Sequence, residues 1–516
     1  MIEPFKDIAL AFSGGGFRAA GFTLGTLSYL ERIGLLPEVR AISSVSGGSI
    51  TAVKYAQSLI DEQNFITFFE EYYSYLKEDT LADDALADLN KKSIWDLPEN
   101  KHKSINAINS FAIQYNKLTH QKTLGDFHTY SLQKESKLKK LIINATDFSE
   151  AIQFRIKNIS GNEKFGNNKS ENSYLKDWRK VKLGDALAAS SAFPGGFEPI
   201  LFPNDFISGT QGVEDKISLM DGGIVDNQGA SSLIQSSKTT RHKYKFYFVS
   251  DVASPYIDEP LQPLNAKLIS MMISIVSSFF LLLLIASLTA LFLHKGYIIL
   301  YSIFLFLTAI MIAVQAGLLL ASRKVNKMTG MKNRFRLPTG NLGKYIINRV
   351  HSVIFMMSIV MLKNNRRNNA NTLYNRFRNT SITSTIYELR CEKNQFKKYP
   401  KPHPEHATSW DKIKLHTGEI SKKIKEITKE ASIFGTTLWF KNDTIMDKLI
   451  SCGEFTACYN LIAFLAENEE MYSIDENSDR AKLLELLKID WTEFQRNPQF
   501  LVDLRKLEFQ SNTKNN

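Results

Sequence analysis

The chain has 516 residues, 44% hydrophobic and 23% charged, with 64 Lys plus Arg against 53 Asp plus Glu, a net charge of +11. That length exceeds a usual single domain, although one insertion accounts for it, and the chain can bury a sizeable core. Its three cysteines, Cys391, Cys452 and Cys458, have neither metal-ligand spacing nor an even framework. They read as packing residues in a reducing compartment, and no metal or other cofactor is expected.

Met1 to Asp7 lack the basic region and apolar segment of a signal peptide, so export by that route is not expected. The run Asp7-Ile8-Ala9-Leu10-Ala11-Phe12 predicts a first strand, followed by Ser13-Gly14-Gly15-Gly16-Phe17-Arg18 and a helix from Ala19 to about Ile33. A glycine turn at a helix N-terminus aims backbone N–H groups at an anion, and the helix dipole favours the same charge. Gly14-x-Gly16-x-x-Ala19 fits the loose dinucleotide pattern. The next strand, Val39 to Ser44, however, ends in serines rather than in the acid that would hold a ribose. Gly16-Phe17-Arg18 also stands where a P-loop needs Gly-Lys-Ser or Gly-Lys-Thr. Nucleotide binding is disfavoured, and a transient oxyanion becomes the alternative anion.

The second strand runs into Ser43-Ser44-Val45-Ser46-Gly47-Gly48-Ser49, ahead of an apolar and small-residue helix. Strand, sharp turn and helix make a nucleophile elbow, in which small residues two before and two after the serine let the chain turn and expose the hydroxyl. The pattern here is Ser44-x-Ser46-x-Gly48, with serine in place of the first glycine. Taken alone, a Ser/Gly-rich loop without chemistry fits equally well. Two such turns close together raise the case for acyl transfer, which needs both a nucleophile and an oxyanion hole. The Gly47 N–H is one natural donor, and Gly14-Gly15-Gly16 supply others if the two strands are parallel neighbours joined by a crossover helix.

Residues 61–123, aromatic and charged with helical spacing, predict helices over the active-site end, as a lid over lipid or as plain cover for the sheet. The Lys/Asn-rich stretch near 158–180 and the tail Gln510 to Asn516 read as surface segments. Asp221-Gly222-Gly223 follows the apolar run Ile217 to Met220 and leaves the aspartate sterically open, although it also fits a common tight turn. None of the nine histidines carries a motif.

Leu268 to Leu293 and Tyr297 to Ser322 each hold 26 residues without a charge, against the roughly 20 that span a hydrocarbon core. With only His294-Lys295-Gly296 between them, they predict an antiparallel transmembrane hairpin, in which Gln315 bonds across the pair. Arg323, Lys324, Lys327, Lys332, Arg334 and Arg336 follow the second run and place that side in the cytoplasm. From Pro260 to Tyr387 there are 15 Lys plus Arg and no acid. The basic character is therefore local and suits anionic headgroups better than nucleic acid, which is not expected as a partner. Asn348 to Leu362 reads as a core helix in preference to an interfacial one, and Ser381 to Leu389 as a final strand.

In order and spacing these residues resemble the patatin-like phospholipases, which pair a G-G-G-x-R/K turn with a G-x-S-x-G elbow and a D-G-G/A turn. Further matches are Leu124-Gly125-Asp126 before a strand, Asn144-Ala145-Thr146-Asp147 after one, and Ala189-Ser190-Ser191-Ala192-Phe193-Pro194 leading to Phe197-Glu198-Pro199. Leu449-Ile450-Ser451-Cys452-Gly453 resembles the helix that closes the family's domain. The likeness covers residues 5 to about 250 and, more loosely, 380 to 465; Ser44 and the apolar insertion depart from it. It implies a three-layer α/β/α sandwich around a largely parallel sheet. It also implies a Ser-Asp dyad in which Ser46 attacks an ester carbonyl and Asp221 takes its proton directly, with Gly14, Gly15, Gly16 and Gly47 as the oxyanion hole. Arg18, the family's cation after the glycines, biases the local potential or braces the turn, and bracing is the favoured reading.

The expected organisation is a patatin-like catalytic domain over 1–262 and a transmembrane hairpin over 263–325. A basic juxtamembrane segment with the rest of the catalytic domain follows over 326–465, then a helical extension and tail over 466–516. The expected function is a membrane-anchored serine lipid acyl hydrolase of phospholipase A or lysophospholipase type, acting on membrane phospholipid or another lipid ester. The expected location is an inner membrane of bacterial type, with the catalytic domain cytoplasmic. Two alternatives stand beside it: a Ser-His-Asp enzyme using His242 or His403, and a catalytically silent patatin-fold scaffold or effector.

Overall fold

The computed structural model describes residues 4–78, 80–167, 173–210, 216–239, 244–253, 348–390, 404–435, 443–469 and 479–515, with scattered positions between 275 and 320. The chain divides into two compact units, Met1–Tyr256 with Leu362–Asn516, and Ile257–Met361.

The first unit is built on an eight-stranded sheet. It opens with β1 (Ile8–Phe12), α1 (Gly16–Arg32), β2 (Val39–Val45) and α2 (Gly47–Ile60). Helices α3 (Phe65–Glu78), α4 (Leu81–Leu89), α5 (Lys92–Trp95) and α6 (Ala107–Leu118) lie in the span 61–123 expected to be helical, and α7 (Leu124–Leu132) follows it. Then come β3 (Lys140–Asp147), β4 (Ile152–Lys157), α8 (Leu183–Ser191), β5 (Ile200–Phe202), β6 (Ile217–Asp221), α9 (Gly223–Asp226), α10 (Ala230–Thr239) and β7 (Phe246–Asp251). After the second unit the chain resumes with α11 (Leu362–Phe377), β8 (Ser381–Thr385), α12 (Pro404–Thr417), α13 (Lys422–Ile433), α14 (Asp443–Glu467), α15 (Asp479–Arg496) and α16 (Phe500–Asn515).

Strands β3, β2, β1, β7 and β8 run parallel in that spatial order, and β4, β6 and β5 add antiparallel pairings beyond β2. A central parallel strand is covered on both faces and reads as a continuous apolar run, as β1 does. Its alternate residues face different layers: Ile8, Leu10 and Phe12 join the larger core, while Ala9 and Ala11 meet Leu233, Ile234 and Leu373 of α10 and α11. Helices on both faces of a mostly parallel sheet make the expected three-layer α/β/α arrangement. In the larger core, α1 and α14 approach to backbone contact, because a Cβ on Gly25 would overlap the Ile450 carbonyl and one on Gly453 the Phe22 carbonyl.

Several local expectations are corrected. Asn144 to Asp147 close β3 rather than follow it, since they carry its pairing with both β4 and β6. The final strand stops at Thr385, before a short helical turn over Glu388–Arg390. Part of the 158–180 stretch is core: Glu163 is buried and paired with Lys140 and Lys157. Phe500–Asn515 carries a helix into the predicted polar tail.

Among the described residues one helix, Thr444–Glu467, is long and apolar enough to cross a membrane, and it is entirely buried in the first unit, as a core helix is. The two runs predicted as a transmembrane hairpin lie largely outside the described residues. The positions described within them, among them Ile275, Phe279, Leu282, Ile285, Phe306 and Ile312, are helical and expose their apolar side chains. The core-helix reading of 348–362 does not hold, because Val350, Val353, Ile354 and Met356 are exposed.

Candidate active site

Strand β2 lies parallel to β3 as far as Val45, opposite Asn144. There the chain turns sharply through Ser46, whose φ of 48° and ψ of −122° lie in a region that side-chain-bearing residues rarely adopt, and starts α2 at Gly47. The strain is held by a hydroxyl from another layer. Ser190 Oγ accepts the Ser46 N–H at 2.8 Å and donates to the Asn144 carbonyl at 2.6 Å, with Ser49 Oγ 3.0 Å away. Sequence reasoning assigned Ser190 no role.

Strand β4 occupies one edge of β3 from Ile142 to Asp147, so β6, which pairs with Ala145 to Asp147, lies along the edge that β2 leaves at Asn144. Asp221, the last residue of β6, stands opposite Ala145, one residue beyond the partner of Val45. The nucleophile candidate and the carboxylate therefore reach the same point of the sheet from opposite directions. The Gly222 backbone passes so close that a Cβ there would overlap the Asn144 carbonyl. Thr146 Oγ1 fixes the Asp221 carbonyl at 2.8 Å, and the Asp221 N–H donates to the Ala192 carbonyl at 2.9 Å.

The Asp221 side chain is buried. Its Oδ1 accepts the Gly223 N–H at 2.6 Å, and the Ser46 hydroxyl is close enough to act on its titration. Burial dominates and pushes its pKa from 3.8 up to about 6, against the lowering effect of the Gly223 N–H and the Ser46 hydroxyl. A carboxylate in that range is a better proton acceptor near neutrality than one in water, while remaining ionised there.

The first glycine turn stands against the elbow. A Cβ on Gly47 would overlap the backbone of Gly16, and one on Gly14 would lie 3.2 Å from Ser46 Cβ. Gly15 and Gly16 have φ values of 150° and 57°, the conformations that favour glycine. Gly16 opens α1 and Gly47 opens α2, so both amides belong to first turns that lack intrahelical acceptors. Gly14 departs from its expected role: its N–H donates to the Asn227 carbonyl at 3.0 Å and is already committed. Asn227 thus fixes the turn, and Gly15, Gly16 and Gly47 remain as donor candidates.

Arg18 points away from the turn. Its Nη1 donates to the Phe434 carbonyl at 2.8 Å, while burial pulls its pKa down against the opposing influence of Tyr387 and Asp251. This contact ties α1 to the segment after the insertion. At the end of β7, Asp251 accepts Arg366 Nε and Gln228 Nε2, each at 2.6 Å, in a buried ion pair. The sequence does not single out Asp251, and the reading of Arg366, Arg367, Arg376 and Arg378 as a solvated face is corrected for Arg366, which is buried in this pair. Of the histidines considered as bases, His242 and His403 lie outside the described residues. Among the described residues no group of three or more His, Cys, Asp or Glu could hold a metal ion.

No curated protein is significantly similar to the chain. Residues 10–234, which include both glycine turns, Ser46 and Asp221, match the family model described as patatin-like phospholipase. Residues 10–234 are thus a patatin-like phospholipase domain.

Proposed function

We propose that the protein is a membrane-anchored serine lipid acyl hydrolase of phospholipase A or lysophospholipase type, with Ser46 as nucleophile and Asp221 as base. The observation that carries this reading is the register on β3: Val45, just before Ser46, pairs with Asn144, and Asp221, a buried carboxylate raised to about 6, pairs with the next residue, Ala145. Ser46 Oγ attacks the ester carbonyl as its proton passes to Asp221, and the carbonyl oxygen becomes the oxyanion facing the Gly15, Gly16 and Gly47 amides. Collapse breaks the ester C–O bond, and Asp221 returns the proton to the departing alcohol. Water then attacks the acyl-enzyme, giving its proton to Asp221, and the fatty acid leaves as Ser46 is reprotonated.

Anchoring is supported by the two uncharged 26-residue runs and by the exposed apolar side chains at their described positions. In this reading residues 263–325 form the hairpin, and the catalytic domain, 1–262 completed within 326–465, is cytoplasmic beside the basic segment that follows the hairpin. The extension 466–516 packs as helices on that domain. The test is lipid mass spectrometry of membranes exposed to the parent protein and to Ser46→Ala. Fatty acid and the matching lysolipid or alcohol are expected from the parent alone, and equal product from both would overturn the assignment of Ser46.

A further inference from the structure

Both connections to the inserted unit leave the catalytic unit on the sheet edge that carries Ser46. Strands β2, β1 and β7 are parallel, and Phe12 is opposite both Ser44 and Ser250, so β7 ends beside the elbow before the chain leaves this unit after Tyr256. The chain returns at Leu362, and the first turn of α11 sits on the same edge. Asn365 Nδ2 donates to the Ile224 carbonyl, three residues past Asp221, at 3.2 Å, and Arg366 pairs with Asp251.

That edge also presents aromatic rings to solvent. Phe193, 46% exposed, follows Ala192, whose carbonyl holds the Asp221 N–H. Its ring lies 5.3 Å from Phe197, which lies 4.9 Å from buried Phe111, so it is carried on a packed aromatic stack. Pro194-Gly195-Gly196 turns the chain there, with φ 90° at Gly195, and a Cβ on Gly196 would overlap the Phe193 ring. Phe148, 54% exposed, directly follows β3, three residues past Ala145, the partner of Asp221, and its N–H donates to the Ser218 carbonyl at 2.8 Å. Rigidly presented aromatics beside a site for apolar acyl chains suit the boundary between headgroups and acyl chains.

We propose that this edge docks on a phospholipid bilayer through Phe193 and Phe148, so that lipid passes from the bilayer to Ser46 without crossing water. The occupant is a bilayer because the chain leaves this edge into, and returns to it from, a segment with two uncharged runs of membrane-spanning length and no acid from Pro260 to Tyr387. The proposal rests on the lipid hydrolase reading for its purpose, and its test separates the two. Full-length F193W is reconstituted in phosphatidylcholine–phosphatidylglycerol vesicles, and its additional tryptophan emission over the parent is followed with brominated phosphatidylcholine. That emission should be quenched; the same intensity in brominated and plain vesicles would overturn docking, whatever the activity. In parallel, the variant carrying F193S and F148S should lose roughly tenfold in hydrolysis of vesicle lipid while keeping its rate on a dispersed short-chain ester. Equal loss on both substrates, or no loss on either, would overturn the proposal. Quenching in a parent protein that hydrolyses neither substrate would leave docking in place and reject the hydrolase reading.

Discussion

Asp221→Asn is expected to abolish hydrolysis and at the same time to stabilise the protein. Burial lifts the Asp221 carboxyl from its ordinary 3.8 to about 6, which corresponds to a burden of ~3 kcal/mol on the folded state once the group is ionised. The folded carboxyl binds its proton more tightly than the unfolded one. This group therefore disfavours folding increasingly as pH rises from about 4 to about 6, by a constant amount above that window and not at all below it. An asparagine is neutral throughout and can keep the acceptor that the Gly223 N–H meets at 2.6 Å. Thermal unfolding of parent and variant, followed across that pH range, should show the variant ahead at neutral pH by up to ~3 kcal/mol, with the gap closing near pH ~4. A gap that does not change with pH, or a variant less stable than the parent at neutral pH, would refute the reasoning. The parent's kcat/KM should rise with pH through about 6 and then level, because the base must be ionised to accept the Ser46 proton.

Gly47→Ala should remove activity and labelling of Ser46 by a fluorophosphonate probe, because the new methyl would overlap backbone atoms of Gly16 that cannot move without opening the glycine turn. Retention of parental labelling would mean that the two turns do not touch as described. Arg366→Ala would leave the buried Asp251 carboxylate with Gln228 and the Ala253 N–H as its remaining hydrogen-bond donors. A loss of ~3–5 kcal/mol is expected in denaturant unfolding, as for other buried pairs broken on one side, and a loss within measurement error would show the pair to be dispensable.

The parts legible in the sequence are those whose chemistry is local. The apolar run Ile8 to Phe12, the first glycine turn and the Ser44-x-Ser46-x-Gly48 elbow each declare a backbone shape within a few residues, and the strand, turn and helix starts are found where read. Long-range partners were not legible. Nothing near Ser190 announces that its hydroxyl will hold the Ser46 amide, 144 positions away in sequence. Likewise, Asp251 and Arg366 pair directly although the whole inserted unit separates them in sequence. Gly14 was misread for a related reason: the glycine pattern shows that an amide can be presented, but not that Asn227 will already have taken it. For Asn348 to Leu362, apolar content alone did not distinguish a buried face from an exposed one.

The same topology explains how a serine could be served by an aspartate without an intervening histidine. An imidazole bridges several ångströms between a nucleophile and a carboxylate held on separate strands, and fixes the direction of proton transfer. Here β6 enters antiparallel along the very edge that β2 vacates, so Asp221 and Ser46 come to adjacent positions on β3 with no gap to bridge. Direct contact also requires the carboxylate to be basic enough by itself, and the burial that comes with sitting between β3, α8 and the elbow raises it to about 6. Distance and basicity thus come from a single feature, the substitution of one strand by another along β3. A change that shifted the β6 register by one residue would send the Asp221 side chain to the opposite face of the sheet and remove both together.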